Sequence, residues 1–243
     1  MVKTSVDYAD EQITVYRSCP FECRYCYVRL PIYRARLRRG RYDPMAEARR
    51  IARLSEPKTV CVSFTSDPFP WAERKLRITM EVLRALSPAK HHRVLILTKN
   101  PMLAFDELCR LREEGLSVEH FWLGTTVVDF SGLLEPKAPH PAKRLLTLKE
   151  AKEAGFKTWL SLEPIIAHHT PLDAILGETV NYVDWYVLGK LNYASRVDLP
   201  EWMADEDWYR EVVGKAFIPK LRALGVSFHV KKELREVLER GQD

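Results

Sequence analysis

The feature that most constrains the fold of this chain is a regular alternation of short apolar runs with longer amphipathic ones. Apolar runs of strand length recur along the 243 residues, and the segments between them show helical periodicity. Two of these helical segments, 101–115 and 141–155, begin at a proline and end at a glycine, as helices often do. Because parallel strands need crossover connections of helix length, the pattern predicts an α/β chain with a parallel sheet and outer helices.

The alternation repeats often enough to predict a barrel rather than a small open sheet. We expect a partial (β/α)6 TIM-like barrel of parallel strands with outer helices, followed by a short C-terminal strand and helix. Residues 1–243 are expected to form a single domain, with a core of about 13–193 and a C-terminal extension of about 205–243. The predicted strands are 12–18, 58–65, 92–98, 118–128, 157–166 and 183–193, with 226–230 as a candidate seventh; the predicted helices are 43–55, 72–86, 101–115, 141–155, 205–225 and 231–241.

Polar residues stand at the C-terminal end of each of the six main predicted strands. In barrels of parallel strands, the chemistry takes place at this end. Polar side chains after apolar strands are hard to explain as core, so their recurrence indicates a functional mouth. These positions are Cys19, "TSDPF", "TKNP", "TTVV", "EPII" and "GKLNY", in strand order.

Three of the five cysteines crowd into the loop after the first predicted strand. Cys19, Cys23 and Cys26 follow the pattern C-x3-C-x2-C. An odd, crowded set of thiols does not look like a disulfide framework, and a structural metal site would include a fourth ligand. Three thiolates can hold three irons of a cubane cluster and leave the fourth iron open. A Cys3His zinc site is the alternative, although no histidine lies within the loop or shortly after it.

Composition and charge limit the cellular location and the class of partner, but they do not identify a partner. The net charge of +5 permits an anionic partner but does not require one. The absence of a long apolar run or an apolar signal segment predicts a cytoplasmic protein with no membrane partner. Scarce Asn and Gln, with abundant Arg, Lys and Glu, resemble a thermophile's composition. A solvated helix face competes with nucleic-acid binding as the explanation of an arginine-rich stretch: Arg34, Arg36, Arg38, Arg39, Arg41, Arg49, Arg50 and Arg53.

The cysteine motif resembles the signature of the radical S-adenosylmethionine (SAM) superfamily. "CPFECRYC" matches its C-x3-C-x2-C pattern, and the position after a first short strand matches too. The resemblance implies a [4Fe-4S] cluster on Cys19, Cys23 and Cys26, with S-adenosyl-L-methionine on the open iron. It also implies that reductive cleavage of SAM gives a 5′-deoxyadenosyl radical, which abstracts hydrogen from a substrate. An external one-electron reductant, flavodoxin- or ferredoxin-like, is the implied partner.

Further motifs resemble one branch of that superfamily, the branch around spore photoproduct lyase and proteins described as DNA repair photolyases. "FTSDPF", "LILTKN", "LEP" followed by "APHPAKRL", and "SLEPII" occur in the order of that branch, within 13–193. The resemblance implies contacts to SAM from several of these positions. They are Tyr25 near the adenine, Ser66 and Asp67 at the amino group, Lys99 at the carboxylate, Thr125 or Thr126 at the same end, and Pro164 and Ile165 beside the adenine.

One position departs from the lyase-like branch. The lyases have a cysteine immediately before Thr-Ser-Asp that donates a hydrogen atom to the product radical, whereas this chain has Phe64. Cys61 is expected on the opposite face of the strand, as a core thiol, because side chains alternate. Tyr27 matches a lyase tyrosine assigned to radical transfer and is a candidate catalytic residue. The repair of a thymine dimer by the lyase route is therefore not carried over to this chain.

Three hypotheses for function stand at this point. The first is a radical enzyme acting on a nucleic acid or nucleotide, which the lyase-like motifs and the Arg34–Arg53 stretch favour. The second is a radical enzyme acting on a peptide or small metabolite, in a pocket lined by Glu163, Lys190, Asn192 and Arg144. Glu163 and Lys190 are the further catalytic candidates. The third is a zinc-binding, non-catalytic protein that binds nucleic acid.

Overall fold

A curled sheet of parallel strands is the frame of the computed structural model, which describes residues 6–31 and 42–240. Seven strands lie in sequence order, each paired in parallel with the next. The sheet forms a half-barrel with helices outside it, which confirms the predicted partial (β/α) barrel. The strands are β1 Glu11–Ile13, β2 Thr59–Val62, β3 Arg93–Leu97, β4 Phe121–Thr126, β5 Lys157–Ile165, β6 Trp185–Lys190 and β7 Phe228–Val230.

Helices follow the strands and cover the outer face of the sheet. Within the described residues, no helix is both long enough and apolar enough to cross a lipid bilayer. Three consecutive stretches, Glu206–Trp208, the π-helical Tyr209–Phe217 and Ile218–Ala223, together form the segment named α7 here. The other helices are α1 Pro44–Ala52, α2 Glu73–Leu76, α3 Ile78–Leu86, α4 Pro101–Glu113, α5 Pro141–Glu153, α6 Leu172–Thr179 and α8 Lys232–Glu239, and single 3-10 turns span Tyr27–Arg29, Ala194–Arg196 and Glu201–Ala204.

Two helical features differ from the sequence predictions. The predicted helix 72–86 is interrupted at Arg77, whose backbone is left-handed (φ 52°) and whose guanidinium donates to buried Glu107 on α4 at 3.1 Å. The sequence analysis misses α6 altogether, because this helix has only eight residues, contains Gly177 and has no side-chain cap. Both differences have causes outside the local apolar periodicity.

The apolar core has a layer on each face of the sheet. On the outer face, alternate strand residues such as Val60, Val62 and Ile96 pack against the helices. The barrel interior holds a second cluster, in which the rings of Trp159 and Trp185 lie 5.4 Å apart. This inner cluster sits toward the N-terminal ends of the strands, so it fills that end of the barrel and leaves the C-terminal end for a cleft.

Side chains join the two edge strands of the half-barrel. Asp7, just before β1, accepts a hydrogen bond from the backbone N–H of Lys232 (2.7 Å) and lies 3.2 Å from His229 Nε2. The neighbouring Tyr8 packs edge-on against the His229 ring, with centroids 5.6 Å apart. The residues before β1 therefore hold the β7 edge without a hydrogen-bonded ladder between the two strands.

Gly124 provides a test of the inner layer. A Cβ at this position on β4 would lie 2.3 Å from the Trp159 indole, which is fully buried and donates to a backbone carbonyl at 3.1 Å. We expect Gly124→Ala to lower the free energy of unfolding by about 1–3 kcal/mol, because the indole has no space to move into. Chemical denaturation of the two proteins measures this difference.

Gly177→Ala on α6 is the matched control, since a Cβ there meets nothing within 4 Å. It should leave stability unchanged or raise it by up to about 1 kcal/mol, because alanine favours helix. Equal effects of the two substitutions would contradict this account of the barrel interior.

Candidate active site

The three motif cysteines lie together at the C-terminal mouth of the half-barrel. Cys19, Cys23 and Cys26 line one cleft of about 150 Å³, and all three are free thiols. The Arg24 backbone N–H donates to the Leu134 carbonyl (2.9 Å), which ties the cysteine loop to the chain that follows β4. The loop is further held by a small apolar cluster of its own, made of Phe21, Cys23, Tyr25, Val128, Leu134, Ile166 and Leu191.

The cysteine thiols are the metal-binding side chains that the cleft offers in this region. In residues 6–31 and 42–240, no three His, Cys, Asp or Glu side chains are placed to hold one metal ion together. The three thiols nevertheless face the same cleft. Thiolates are the protein ligands of iron–sulfur clusters, so the chemistry of these donors fits the cluster that the sequence predicts.

Glu135, a buried carboxylate that the sequence analysis misses, organises the adjoining wall of the cleft. It accepts hydrogen bonds from the Tyr25 hydroxyl and from Arg144, and its Oε1 lies 3.5 Å from Lys99 Nζ. Burial by itself would raise the pKa of Glu135, but the charges of Lys99 and Arg144 outweigh it and the pKa is lowered. The available signal was the "LEP" motif, which the resemblance noted without giving its glutamate a role.

Arg144 does not line the cleft, so its prediction as a pocket residue is wrong. Its side chain is fully buried, and besides Glu135 it donates to the carbonyls of Pro139 and Thr126, each at 2.7 Å. The reason is its place in the first turn of α5, from which it reaches back under the loop that carries Glu135. Arg144 is a positioning residue for Glu135 and, through it, for Tyr25 and Lys99.

Burial and charge act against each other at Cys23. Burial raises the pKa of the Cys23 thiol to about 12, and the Lys99 ammonium lowers it in part. Lys99 itself is only 16% exposed, and its Nζ lies 5.5 Å from the centroid of the Tyr25 ring. A thiolate at Cys23 therefore depends on nearby positive charge, which Lys99 supplies from the protein side.

Most of the side chains expected to contact SAM line the cleft, and two do not. Thr125 is buried, and its hydroxyl donates to the Thr98 carbonyl (2.7 Å), because neighbouring residues of β4 point to opposite faces. Ile165 joins the outer core, since a register shift between Leu162 and Ile165 disturbs the alternation along β5. The residues that do line the cleft are Tyr25, Ser66, Asp67, Lys99, Thr126 and Pro164.

Asp67 is bound closely to the surrounding chain. One carboxylate oxygen accepts from the Phe69 backbone N–H (2.8 Å) and the Thr98 hydroxyl (2.6 Å), and the other accepts from the Lys99 backbone N–H (2.8 Å). Asp67 therefore fixes the turn after β2 against the end of β3, and in doing so sets the direction from which Lys99 enters the cleft. Its expected contact with the SAM amino group stays a prediction.

The far wall of the cleft carries the substrate candidates. Cys61 is fully buried as expected, but it faces the barrel interior. Burial raises the pKa of its thiol, and the charge of Glu163 raises this pKa further. The prediction that Cys61 and position 64 point to opposite faces is wrong, because the left-handed backbone of Ser63 (φ 57°) interrupts the alternation after β2. The residues of this wall are Tyr27, Phe64, Ser161, Glu163, Lys190 and Asn192.

A buried ion pair lies at the base of this far wall. Lys231, directly after β7, bonds Glu163 Oε1, and the side chains are 7% and 16% exposed. The Lys231 Nζ also lies 4.8 Å from the centroid of the Phe64 ring. Burial raises the pKa of Glu163, and Lys231 offsets only part of that rise. The C-terminal extension therefore supplies a cleft-side residue that the sequence analysis leaves without a role.

The chain resembles known proteins both in sequence and in fold. The family model described as the Radical SAM superfamily matches residues 13–175. An uncharacterized protein of Methanocaldococcus jannaschii is 28% identical over 203 residues, which cover 79% of this chain and 75% of the relative.

Two solved structures share the fold. Streptococcus suis SuiB bound to S-adenosylmethionine aligns with a TM-score of 0.64 at 12% identity, over 94% of this chain and 52% of SuiB. This chain thus spans about half the length of SuiB. A spore photoproduct lyase variant with bound AdoMet and dinucleoside spore photoproduct aligns with a TM-score of 0.65 at 14% identity, over 94% of this chain and 77% of the lyase. At such identities, the likeness concerns the fold alone.

Arg144→Met tests the buried network around Glu135. The substitution keeps much of the side-chain volume but removes the cation from a carboxylate that is only 2% exposed. We expect the free energy of unfolding to fall by about 3–5 kcal/mol, because a buried charge loses its main partner. Denaturant titration measures the change.

Arg84→Met serves as the comparison, since Arg84 pairs with Glu114 on the surface. Exposed pairs contribute little, so stability should hardly change. Similar losses in both variants would show that Arg144 has no special weight in the network.

Proposed function

The chain belongs to the radical SAM superfamily, and on that premise we propose that Cys19, Cys23 and Cys26 are the ligands of its [4Fe-4S] cluster. Enzymes of this superfamily use such a cluster together with S-adenosyl-L-methionine. When bound, the two supply a 5′-deoxyadenosyl radical through reductive cleavage of SAM, and the radical abstracts hydrogen from the substrate. The observation that carries the proposal is the convergence of the three thiols on one cleft with polar, well-supported walls.

The residues of the near wall have distinct tasks in this proposal. Lys99 presents a cation to the SAM carboxylate, and Glu135 holds that cation in place. Tyr25, fixed through its hydroxyl, would lie beside the adenine, and Pro164 of β5 would border it from another side. Thr126 is the polar residue of β4 that reaches the cleft. Cys19, the exposed member of the three cysteines, would hold the cluster on the side that an external reductant can approach.

A nucleic acid or nucleotide is the proposed substrate class. The ordered lyase-like motifs support it, and the spore photoproduct lyase structure contains a dinucleoside ligand. Arg49 and Arg53 of the arginine-rich stretch are exposed, whereas Arg50 is paired with Glu11 and Glu47. The first part of that stretch, 34–41, lies outside the described residues. The cleft also offers the cation of Lys190 and the ring of Tyr27, which suit an anionic, aromatic substrate.

A peptide is the second candidate class. Streptococcus suis SuiB was also solved bound to its precursor peptide SuiA, and that structure aligns with a TM-score of 0.61 over 91% of this chain and 48% of SuiB. The wall of Glu163, Lys190 and Asn192 offers donors and acceptors that suit a peptide as well. Binding experiments with nucleic acid separate the two classes.

Cys23→Ala tests the ligand assignment. After anaerobic reconstitution, reduction and addition of SAM, we expect the wild type to form 5′-deoxyadenosine and the variant to form none, with most of its iron lost. Iron and sulfide analysis, together with chromatography of the products, measures both effects. Cys109→Ala on α4 should retain iron and product, because this thiol lies outside the cleft. Full iron content in Cys23→Ala would refute the assignment.

Exchange of the exposed arginines tests the nucleic-acid proposal. We expect the affinity of the wild type for short DNA and RNA to fall as the salt concentration rises. The double variant Arg49→Glu with Arg53→Glu should bind more weakly, and the slope of log affinity against log salt should decrease by the equivalent of about two phosphate contacts. Fluorescence anisotropy across salt concentrations measures this. Lys215→Glu with Arg222→Glu on α7 makes the same change in charge elsewhere and should have less effect. Wild-type binding that shows no salt dependence would count against nucleic acid.

A further inference from the structure

Three buried polar atoms without hydrogen-bond partners belong to residues that line the same cleft. Thr65 Oγ1, Ser161 Oγ and Glu163 Oε2 each lack a partner within the described residues, and all three residues line the cleft. Ser161 is fully buried. Buried polar atoms in folded proteins nearly always have partners, and a group left unpaired is destabilising. Their convergence points to a ligand whose polar edge pairs with all three.

Two of these atoms belong to the far wall of substrate candidates, and the third is next to it in sequence. Ser161 and Glu163 lie two residues apart on β5, so their side chains leave the same face of the strand. Thr65 follows Phe64 of that wall on the segment after β2 and also lines the cleft. None of the three is bonded to the Glu135 network, whose partners are Tyr25, Lys99 and Arg144.

The ion pair with Lys231 fixes which oxygen of Glu163 is free. Lys231 bonds Oε1, so Oε2 is the oxygen that is left without a partner. Gly189 makes room for the pair, since a Cβ there would lie 3.0 Å from Glu163 Cγ and 3.2 Å from Lys231 Cδ. The carboxylate is therefore held in one orientation, with Oε1 bonded to Lys231 and Oε2 available as an acceptor.

We propose that Glu163, with Ser161 and Thr65, recognises an exocyclic amino group on the nucleobase of the substrate. The proposal rests on the nucleic-acid or nucleotide substrate proposed above. A carboxylate oxygen only accepts, whereas hydroxyls both accept and donate. An amino group offers two N–H donors, one for Glu163 Oε2 and one for a hydroxyl, while a carbonyl oxygen in its place would face the carboxylate unfavourably. The cleft therefore favours cytosine, adenine or guanine over uracil or thymine.

Matched nucleotides test this selectivity. The cluster-loaded protein is titrated calorimetrically in the presence of SAM and without reductant. One pair of ligands is deoxycytidine monophosphate and deoxyuridine monophosphate, and the other is deoxyadenosine monophosphate and deoxyinosine monophosphate. Each pair exchanges an amino group for a carbonyl. We expect the amino member to bind about 10-fold more tightly or better, because the keto member leaves buried acceptors unpaired. Equal affinities within both pairs would overturn the proposal.

Two variants separate recognition from folding. Glu163→Gln can donate to a carbonyl, so the preference should vanish or reverse, whereas a purely structural role would weaken both members equally. Ser161→Ala should weaken the amino member more than the keto member. Circular dichroism and thermal unfolding verify that each variant is folded, and Ser161→Ala carries the test should Glu163→Gln not fold. A preference that survives in both variants refutes these assignments.

The remaining outcomes distinguish this inference from the proposal beneath it. If nucleotides bind without a preference for the amino member of each pair, the proposed recognition site is refuted, but the proposed substrate class is not. Failure to bind any nucleotide or short oligonucleotide, with 5′-deoxyadenosine still formed, removes the substrate class and the inference together. An asparagine-containing tripeptide is included as a further probe. If the tripeptide binds and no nucleotide does, the same acceptors recognise a peptide amide, and the proposal of a nucleobase is overturned.

Discussion

The candidate site depends on one buried carboxylate. Glu135 meets Tyr25 from the cysteine loop, Lys99 from the end of β3 and Arg144 from α5, so one side chain holds three separate segments at fixed distances. Two cations around one anion leave the group with a net positive charge beside the buried thiol of Cys23. Cysteines ionise more readily beside positive charge, and this group supplies such a charge at Cys23.

The sequence was sufficient for the frame of the molecule, because that frame depends on local periodicity. Apolar runs specify parallel strands, and polar residues after them mark the mouth, so Cys19, Lys99 and Glu163 could all be placed on one rim in advance. Glu135 and Lys231 could not. Each acquires its role from a partner distant in sequence, such as Glu163 for Lys231, and no local pattern reports which charges will meet.

The errors in side-chain direction have a common cause, namely that strict alternation fails where the backbone departs from an ideal strand. The left-handed Ser63 turns Phe64 toward the cleft above Cys61, and the register shift on β5 exchanges the places of Pro164 and Ile165. Both irregularities occur at strand ends that border the cleft. Sites of this kind are where deviations from regular geometry are expected, because there a side chain must be aimed rather than merely packed.

The position of Lys231 has a consequence for the order in which the site is assembled during synthesis. The cysteine loop leaves the ribosome about 200 residues before Lys231, the cation that pairs with Glu163. A nascent chain can therefore present all three thiols long before its substrate wall is complete. Until β7 adds to the edge of β6, Glu163 lacks its counter-charge, so this part of the cleft is completed after the cysteine loop has been made.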